Sequence, residues 1–197
     1  MRRLIASVGI GCITALCCAG VFADDSSDVL KSAELEMHIP PAQSDNPNEV
    51  TRDSFKPPPY GAPIDLADAK AVAAAAVKFT ENRGWNSSCI SVVGPSGDLI
   101  YFERQDNCQF ASIEISEHKA RTAARFRRPT LVFERLLGKG PYYIYQMTLD
   151  GVMASRGGVP LLVDGKVVGA IGVSGGTGSD GAVSQAAADW FNSQHNH

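Results

Sequence analysis

The chain has 197 residues, a formal net charge of −3 and a hydrophobic fraction of 44%. This length is enough for one folded domain with a proper hydrophobic core. The mildly acidic balance, without a long basic stretch, argues against a nucleic-acid-binding protein, so we expect no nucleic acid among its partners.

The N-terminus has the pattern of a secretory signal peptide over residues 1–23. Arg2 and Arg3 precede an uncharged apolar stretch, which ends in small residues around Ala23 of the kind that signal peptidase recognises. A retained membrane anchor and a lipid anchor are the alternatives. Cleavage would remove both arginines and take the net charge from −3 to −5. We therefore expect a periplasmic or secreted protein that does not contact the membrane after cleavage.

Residues 24–63 are predicted to form a disordered, proline-rich tail. The segment combines Pro40-Pro41 and a run of three prolines at 57–59 with acidic residues, serines and asparagines. Such a composition cannot bury enough apolar area to offset the entropy lost on ordering the chain. The folded domain should therefore occupy residues 62–194.

Hydrophobic periodicity and turn residues predict helices and two β-hairpins within this domain. In chain order, they are a helix at 66–82, strands at 89–93 and 99–103, helices at 110–126 and 130–137, strands at 161–163 and 167–173, and a helix at 181–194. Asp65 is placed to cap the first helix, and Asp164-Gly165 is typical of a tight hairpin turn. Adjacent strands pair as hairpins, so we expect an α+β fold in which helices pack on a mostly antiparallel sheet.

Two cysteines, Cys89 and Cys108, remain after the predicted cleavage. In an oxidising compartment two cysteines favour one disulfide. The alternative is a pair of small buried thiols.

The helix at 110–126 carries the residues of greatest chemical interest. Helical spacing places Lys119 and Thr122 on one mostly small and apolar stripe. A lysine there requires a partner, which could be the carboxylate of Asp106, a carbonyl oxygen or an anionic ligand. The alternative is a structural lysine–aspartate pair, with the Thr122 hydroxyl bonded to its own helix backbone.

A second stripe of the same helix is charged. Glu114, Glu117 and His118 have a spacing at which side chains can converge on a divalent metal ion. Glu117 and Arg121 can instead pair across one turn in solvent, and we favour that reading, so no metal site is predicted. Further along, residues 142–153 contain tyrosines and methionines, including Tyr145 and Met147, that either wall an aromatic pocket or belong to the core.

Taken together, these blocks resemble the GlcG/HbpS family of haem-binding proteins over about residues 64–190. The motifs that carry the resemblance are the alanine-rich first helix, Val92-Val93 with Gly97 and Leu99, Arg104-x-Asp106, Lys119-Ala120-x-Thr122-Ala123, Gly157-Gly158-Val159-Pro160, and Gly165-x-Val167-x-Gly169-Ala170-Ile171-Gly172-Val173-Ser174-Gly175. The resemblance implies a profilin-like layered fold and homo-oligomers, up to octamers. It also implies extracellular haem binding with haem degradation, as in some members, and tetrapyrroles as the wider ligand class.

Carried over to this chain, the resemblance makes Lys119 and Thr122 the ligand-facing residues. Thr122 would lie near the haem iron, and Lys119 would suit a propionate. His118 is the side chain that normally ligates haem iron, but helical spacing turns it about 100° away from Lys119. The predicted haem-binding set is therefore Lys119, Thr122, His118 and Asp106.

The resulting hypothesis is a periplasmic or secreted haem-binding or tetrapyrrole-binding protein, with haem degradation as a further activity. A second hypothesis is a periplasmic enzyme or accessory protein for a small oxygenated metabolite, with Lys119 and Asp106 as acid–base groups. A third is a non-catalytic oligomeric module that assembles through the alanine-rich helix face.

Overall fold

The structure is a computed structural model that describes residues 56–175 and 179–195. Its elements in chain order are helix α1 (Leu66–Glu81), strands β1 (Cys89–Val93) and β2 (Leu99–Arg104), helices α2 (Ala111–Phe126) and α3 (Leu131–Leu137), a 3₁₀ helix (Pro141–Thr148), strands β3 (Gly158–Val163) and β4 (Lys166–Ser174), and helix α4 (Asp180–His195). The predicted elements are all present. The predicted signal peptide, and the predicted tail up to residue 55, lie outside the described residues.

The four strands form one antiparallel sheet in the order β2-β1-β4-β3. Each predicted hairpin contributes two neighbouring strands, and β1 and β4 join the hairpins at the centre. The predicted α+β fold, a mostly antiparallel sheet with helices packed on it, is confirmed.

Local sequence signals decide several element ends. Asp164 and Gly165 both adopt positive φ angles, of 50° and 70°, as the tight turn between β3 and β4 requires. At the start of α1, the Asp65 side chain accepts a hydrogen bond of 2.8 Å from the backbone N–H of Asp68. The predicted turn and the predicted helix cap are therefore both confirmed.

Helices cover both faces of the sheet. On one face, alternate strand residues such as Ile90 and Ile171 pack with Val72 of α1 and Phe191 of α4 in the main hydrophobic core. On the other face, Val93 and Ala170 form a smaller cluster with alanines of α2. The period of two along each strand therefore sends neighbouring residues to different helical layers.

Two glycines allow α2 to lie directly on the sheet. Gly158 of β3 and Gly172 of β4 are cross-strand partners beneath this helix. A Cβ atom on Gly172 would lie 2.0 Å from the carbonyl oxygen of Ser116, and one on Gly158 would lie 2.3 Å from that of Lys119. No side chain fits there, so these glycines fix the depth at which Lys119 enters the domain.

The last residues of the predicted tail belong to the folded domain. Val167 donates to the Pro59 carbonyl and Gly61 donates back to the Val167 carbonyl, both at 2.8 Å. The Tyr60 hydroxyl also donates to the Arg125 carbonyl at 2.7 Å. The domain therefore begins before residue 62, because this stretch runs alongside β4 where β1 no longer pairs with it.

Cys89 and Cys108 form a disulfide, with their Cα atoms 5.7 Å apart. This is the first of the two alternatives that the sequence left open. The bond ties the start of β1 to the loop that precedes α2, and both cysteines are buried. It therefore fixes the end of the helix from which the candidate site residues project.

Candidate functional site

Lys119 lies in the interior of the domain and does not face a ligand cavity. Only 2% of the residue is exposed. Its Nζ atom donates to Asp180 Oδ2 at 2.7 Å and to the Val173 carbonyl at 3.2 Å. The other Asp180 oxygen accepts from the Gly175 N–H at 2.9 Å. The ammonium thus connects α2 to the end of β4 and to the first residue of α4.

The prediction of Asp106 as a candidate partner of Lys119 is wrong. It lies exposed in the turn after β2, whereas the partner found in the structure is Asp180, 61 residues away from Lys119. The structure therefore does not bring Lys119 and Asp106 together. These two residues cannot act as the acid–base pair of the second hypothesis. The structural lysine–aspartate pair is present, but with a different aspartate.

Thr122 is also buried, at 1% exposure. Its hydroxyl accepts from the Met153 N–H at 2.9 Å and donates to the Gly151 carbonyl at 3.3 Å. The prediction that this hydroxyl bonds to its own helix is therefore wrong. Thr122 instead anchors the segment that follows the 3₁₀ helix against α2.

A second ion pair lies close to Lys119. The Arg156 guanidinium binds Glu134 of α3 with Nη2 at 2.5 Å and Nε at 2.9 Å from Oε1. Burial raises the pKa of Glu134, but the hydrogen bonds and charge of Arg156, together with the charge of Lys119, outweigh it and hold the pKa below its usual value. This corner of the domain is therefore a network of paired charges.

The open cavity beside α2 lies on its charged flank. We call it the α2 groove, a depression of about 580 Å³ lined by Ser96, Gly97, Asp98, His118, Arg121, Arg125, Asp150 and Gly151. Its size falls within the range of small-molecule sites in proteins. The walls come from α2, from the turn of the first hairpin, and from the chain just after the 3₁₀ helix.

Two arginines hold the first hairpin against α2. Arg121 Nε donates to the Gly97 carbonyl at 3.1 Å, and Arg125 Nε donates to the Ser96 carbonyl at 2.8 Å. Arg121 also binds Glu117 at 3.0 Å, as predicted from their spacing. Among the described residues, Arg125 has no carboxylate partner, so its terminal nitrogens remain available to an anionic group in the groove.

His118 is the one residue of the predicted set that lines this groove. The residue is partly buried. Lys119 and Thr122 point into the domain instead, and Asp106 is in a surface turn. The structure therefore divides the predicted set along the helix surface, with an imidazole facing the cavity and two buried side chains holding the fold.

Asp98, on the hairpin side of the groove, has a lowered pKa. A hydrogen bond from the Ser96 hydroxyl and one from the backbone N–H of Asp98 itself lower the pKa of this carboxyl, and its slight burial opposes them weakly. No cluster of three or more histidine, cysteine, aspartate or glutamate residues that could hold a metal ion occurs among the described residues.

A second depression, the α1–α4 groove, lies on the opposite helical layer. It has a volume of about 560 Å³ and is lined mainly by apolar residues: Ala71, Ala74, Ala75, Phe79, Ala186 and Trp190, with Lys78 and Asn82 at its edge. It offers no imidazole or thiolate.

Within residues 56–175 and 179–195, none of the helices has the length and apolarity needed to cross a bilayer.

Comparison with known proteins agrees with the fold and the motifs. Residues 64–189 match the family model described as "Haem degrading protein HbpS-like". The chain belongs to the HbpS-like family. Protein GlcG of Escherichia coli K12 is 39% identical to this HbpS-like chain over 106 residues, which are 54% of the chain and 77% of GlcG.

Two solved structures are similar to this HbpS-like domain. The crystal structure of HbpS matches with a TM-score of 0.60 at 28% identity, covering 66% of this chain and 92% of HbpS. A crystal structure of a PduOC–haem complex matches with a TM-score of 0.59 at 24% identity, covering 66% and 96% of the two chains. At that identity the second likeness concerns the fold alone.

Sequence reasoning missed the groove because its walls are distant along the chain. Arg121 and Arg125 gave only the signal of a solvated helix face, although both hold the 96–98 turn in place. Asp180 directly precedes the predicted helix at 181–194, but nothing in its neighbourhood links it to Lys119. The HbpS-like motif that contains Lys119 and Thr122 thus marks buried structural residues next to the cavity.

Proposed function

We propose that this protein binds haem or a closely related tetrapyrrole in the α2 groove. The observation that carries the proposal is His118, whose imidazole lines an open cavity of about 580 Å³ on the helix that bears the family motif. Membership of a family described as haem-degrading supports haem as the ligand.

The groove residues fit a haem at its polar edge and at its metal. Imidazole is the usual protein ligand of haem iron. The terminal nitrogens of Arg125 have the planar donor geometry that pairs with a carboxylate, so they suit a propionate. Lys119 has no part in ligand contact, because its ammonium is enclosed and already bonded.

Beyond haem binding, we propose that the protein degrades haem. Bound haem would supply the redox chemistry, with oxygen and an external reductant as co-reactants. The residues of the chain would bind and orient the ring, and the open groove would leave it accessible to small molecules.

We also propose that the protein acts in the periplasm or is secreted. Two observations support this: the signal-peptide pattern of residues 1–23 and the Cys89–Cys108 disulfide. Disulfides form and persist in oxidising compartments and are rare in the cytosol. Proteomics of fractionated cells would test the location, and recovery in the cytosolic fraction with an intact N-terminus would contradict it.

Haemin titration of the purified protein tests the ligand. We expect a Soret shift at micromolar haemin that is weakened at least about tenfold, or lost, in His118→Ala. His195→Ala is the matched control, because His195 lies on α4 and contacts Phe191 away from the groove. No shift with the unmodified protein, or an equal shift in His118→Ala, would contradict the proposal.

A further inference from the structure

The 3₁₀ helix that follows α3 exposes an unusual amount of apolar surface. Ile144, Tyr145 and Met147 are 53%, 51% and 76% exposed. They are close together on eight residues of chain. Single exposed hydrophobic residues are ordinary, but a concentration of this kind marks a surface that contacts something else.

Glycines with positive φ angles stand on both sides of this helix. Gly140 has φ 138° and Gly151 has φ 68°. A Cβ atom on Gly151 would meet nothing within 4 Å, so the glycine serves the backbone angle and does not relieve crowding. Between these glycines, the 3₁₀ helix packs mainly against the short helix α3, among the elements that the structure describes. Few contacts between two glycine pivots are what a hinged segment requires.

One buried group is unsatisfied in the present position of the 3₁₀ helix. Gln146 Nε2 donates to the Tyr143 carbonyl at 3.3 Å, but Gln146 Oε1 is buried without a hydrogen-bond partner in the described part of the chain. Buried acceptors are nearly always paired, because an unpaired one loses its hydration without compensation. A change of position by the helix would allow this oxygen to find a donor.

The C-terminal end of the segment lies beside the α2 groove. Asp150 and Gly151 line the groove and come directly after the 3₁₀ helix. Thr122 holds Gly151 and Met153 against α2 through its two hydrogen bonds. A rotation of the helix about its glycines would therefore take place at the groove wall.

We propose that residues 141–149 form a hinged strap that closes over the α2 groove and covers the bound ligand with Ile144, Tyr145 and Met147. This inference rests on the proposed function. The groove supplies an imidazole, guanidinium groups and carboxylates, so its lining is largely polar. A tetrapyrrole buries a broad apolar face when it binds. The strap carries the apolar side chains that the groove lacks for contact with this face.

The first arm of the test is haemin affinity. The double substitution Ile144→Ser/Met147→Ser should weaken haemin binding about tenfold, because two partly buried side chains would be lost from the complex. Leu66→Ser is the matched control, since Leu66 is 51% exposed but lies at the start of α1 in the opposite helical layer. It should leave the affinity unchanged.

The second arm is amide hydrogen exchange with and without haemin. Residues 141–149 should exchange at least about tenfold more slowly in the complex if the strap closes. Unchanged exchange there, together with unchanged affinity of the double variant, would overturn the strap while leaving haem binding by His118 intact. If the unmodified protein binds no haemin, the proposed function fails, and the strap proposal fails with it.

Discussion

Lys119 should behave as a structural residue whose loss destabilises the domain. Lys119 is 2% exposed and the Asp180 side chain 13% exposed, so the pair is almost fully desolvated. Removing one partner of a buried ion pair typically costs about 3–5 kcal/mol, because the remaining charge stays buried and uncompensated.

The two single substitutions should differ in size. After Lys119→Met, the Asp180 carboxylate keeps the Gly175 N–H and some solvent, so we expect a loss near 3 kcal/mol. After Asp180→Asn, the ammonium loses its counter-charge while it remains enclosed with the Val173 carbonyl, so the cost should be about 1 kcal/mol larger. The double variant should lose less than the sum of the two.

Urea unfolding followed by circular dichroism measures these differences. The haemin affinity of the folded Lys119→Met variant should remain within about threefold of the unmodified protein, because the side chain does not reach the groove. A Lys119→Met protein of unchanged stability that no longer binds haemin would refute the reasoning, since the ammonium would then be a ligand-contacting group.

Three further outcomes follow from the structure. Cys108→Ser should lower the free energy of unfolding by about 3 kcal/mol, measured with urea, because the disulfide closes a loop with a sequence separation of 19; equal stability would show that the bond is absent in solution. Glu134 has a lowered pKa when folded, because Arg156 and Lys119 outweigh burial, so its stabilisation is present above the unfolded pKa and is lost as the pH falls through the folded value. Unfolding measured between about pH 5 and pH 3 should therefore depend less on pH in Glu134→Gln, and an unchanged slope would contradict this. The sequence predicts a homo-oligomer, and Trp190, 40% exposed in the apolar α1–α4 groove, is the side chain we expect at its interface; Trp190→Glu should lower the mass seen by light scattering, and an unchanged mass would exclude this surface.

Elements determined by short-range signals could be predicted from the sequence. The Asp164-Gly165 turn needs positive φ at two successive residues, and Asp65 satisfies a free amide within its own helix turn. The turn and the helix cap each depend on residues only a few positions apart, so both can be predicted from the local sequence. Each pair of consecutive strands forms a hairpin across a short turn, so the antiparallel pairing of β1 with β2 and of β3 with β4 also follows from the local sequence.

The site could be predicted only in part, because helical spacing does not say which flank of a helix meets the sheet. The spacing correctly separated His118 from Lys119. Packing on the sheet decides their roles. Gly158 and Gly172 allow α2 to lie close to the sheet, and at that depth Lys119 contacts Asp180. That contact spans 61 residues, and no local pattern distinguishes Asp180 from Asp106 as the partner. Likewise, the role of Arg125 depends on a hairpin turn 29 residues earlier in the chain.

The most direct test of the central claim is the position of the iron in crystals of the haemin complex, located by anomalous diffraction at the iron edge. We expect the iron peak in the α2 groove, coordinated by the His118 imidazole, with a propionate beside Arg125. An iron peak in the α1–α4 groove, or one reached by Lys119 and Thr122 after α2 has moved off the sheet, would contradict the account.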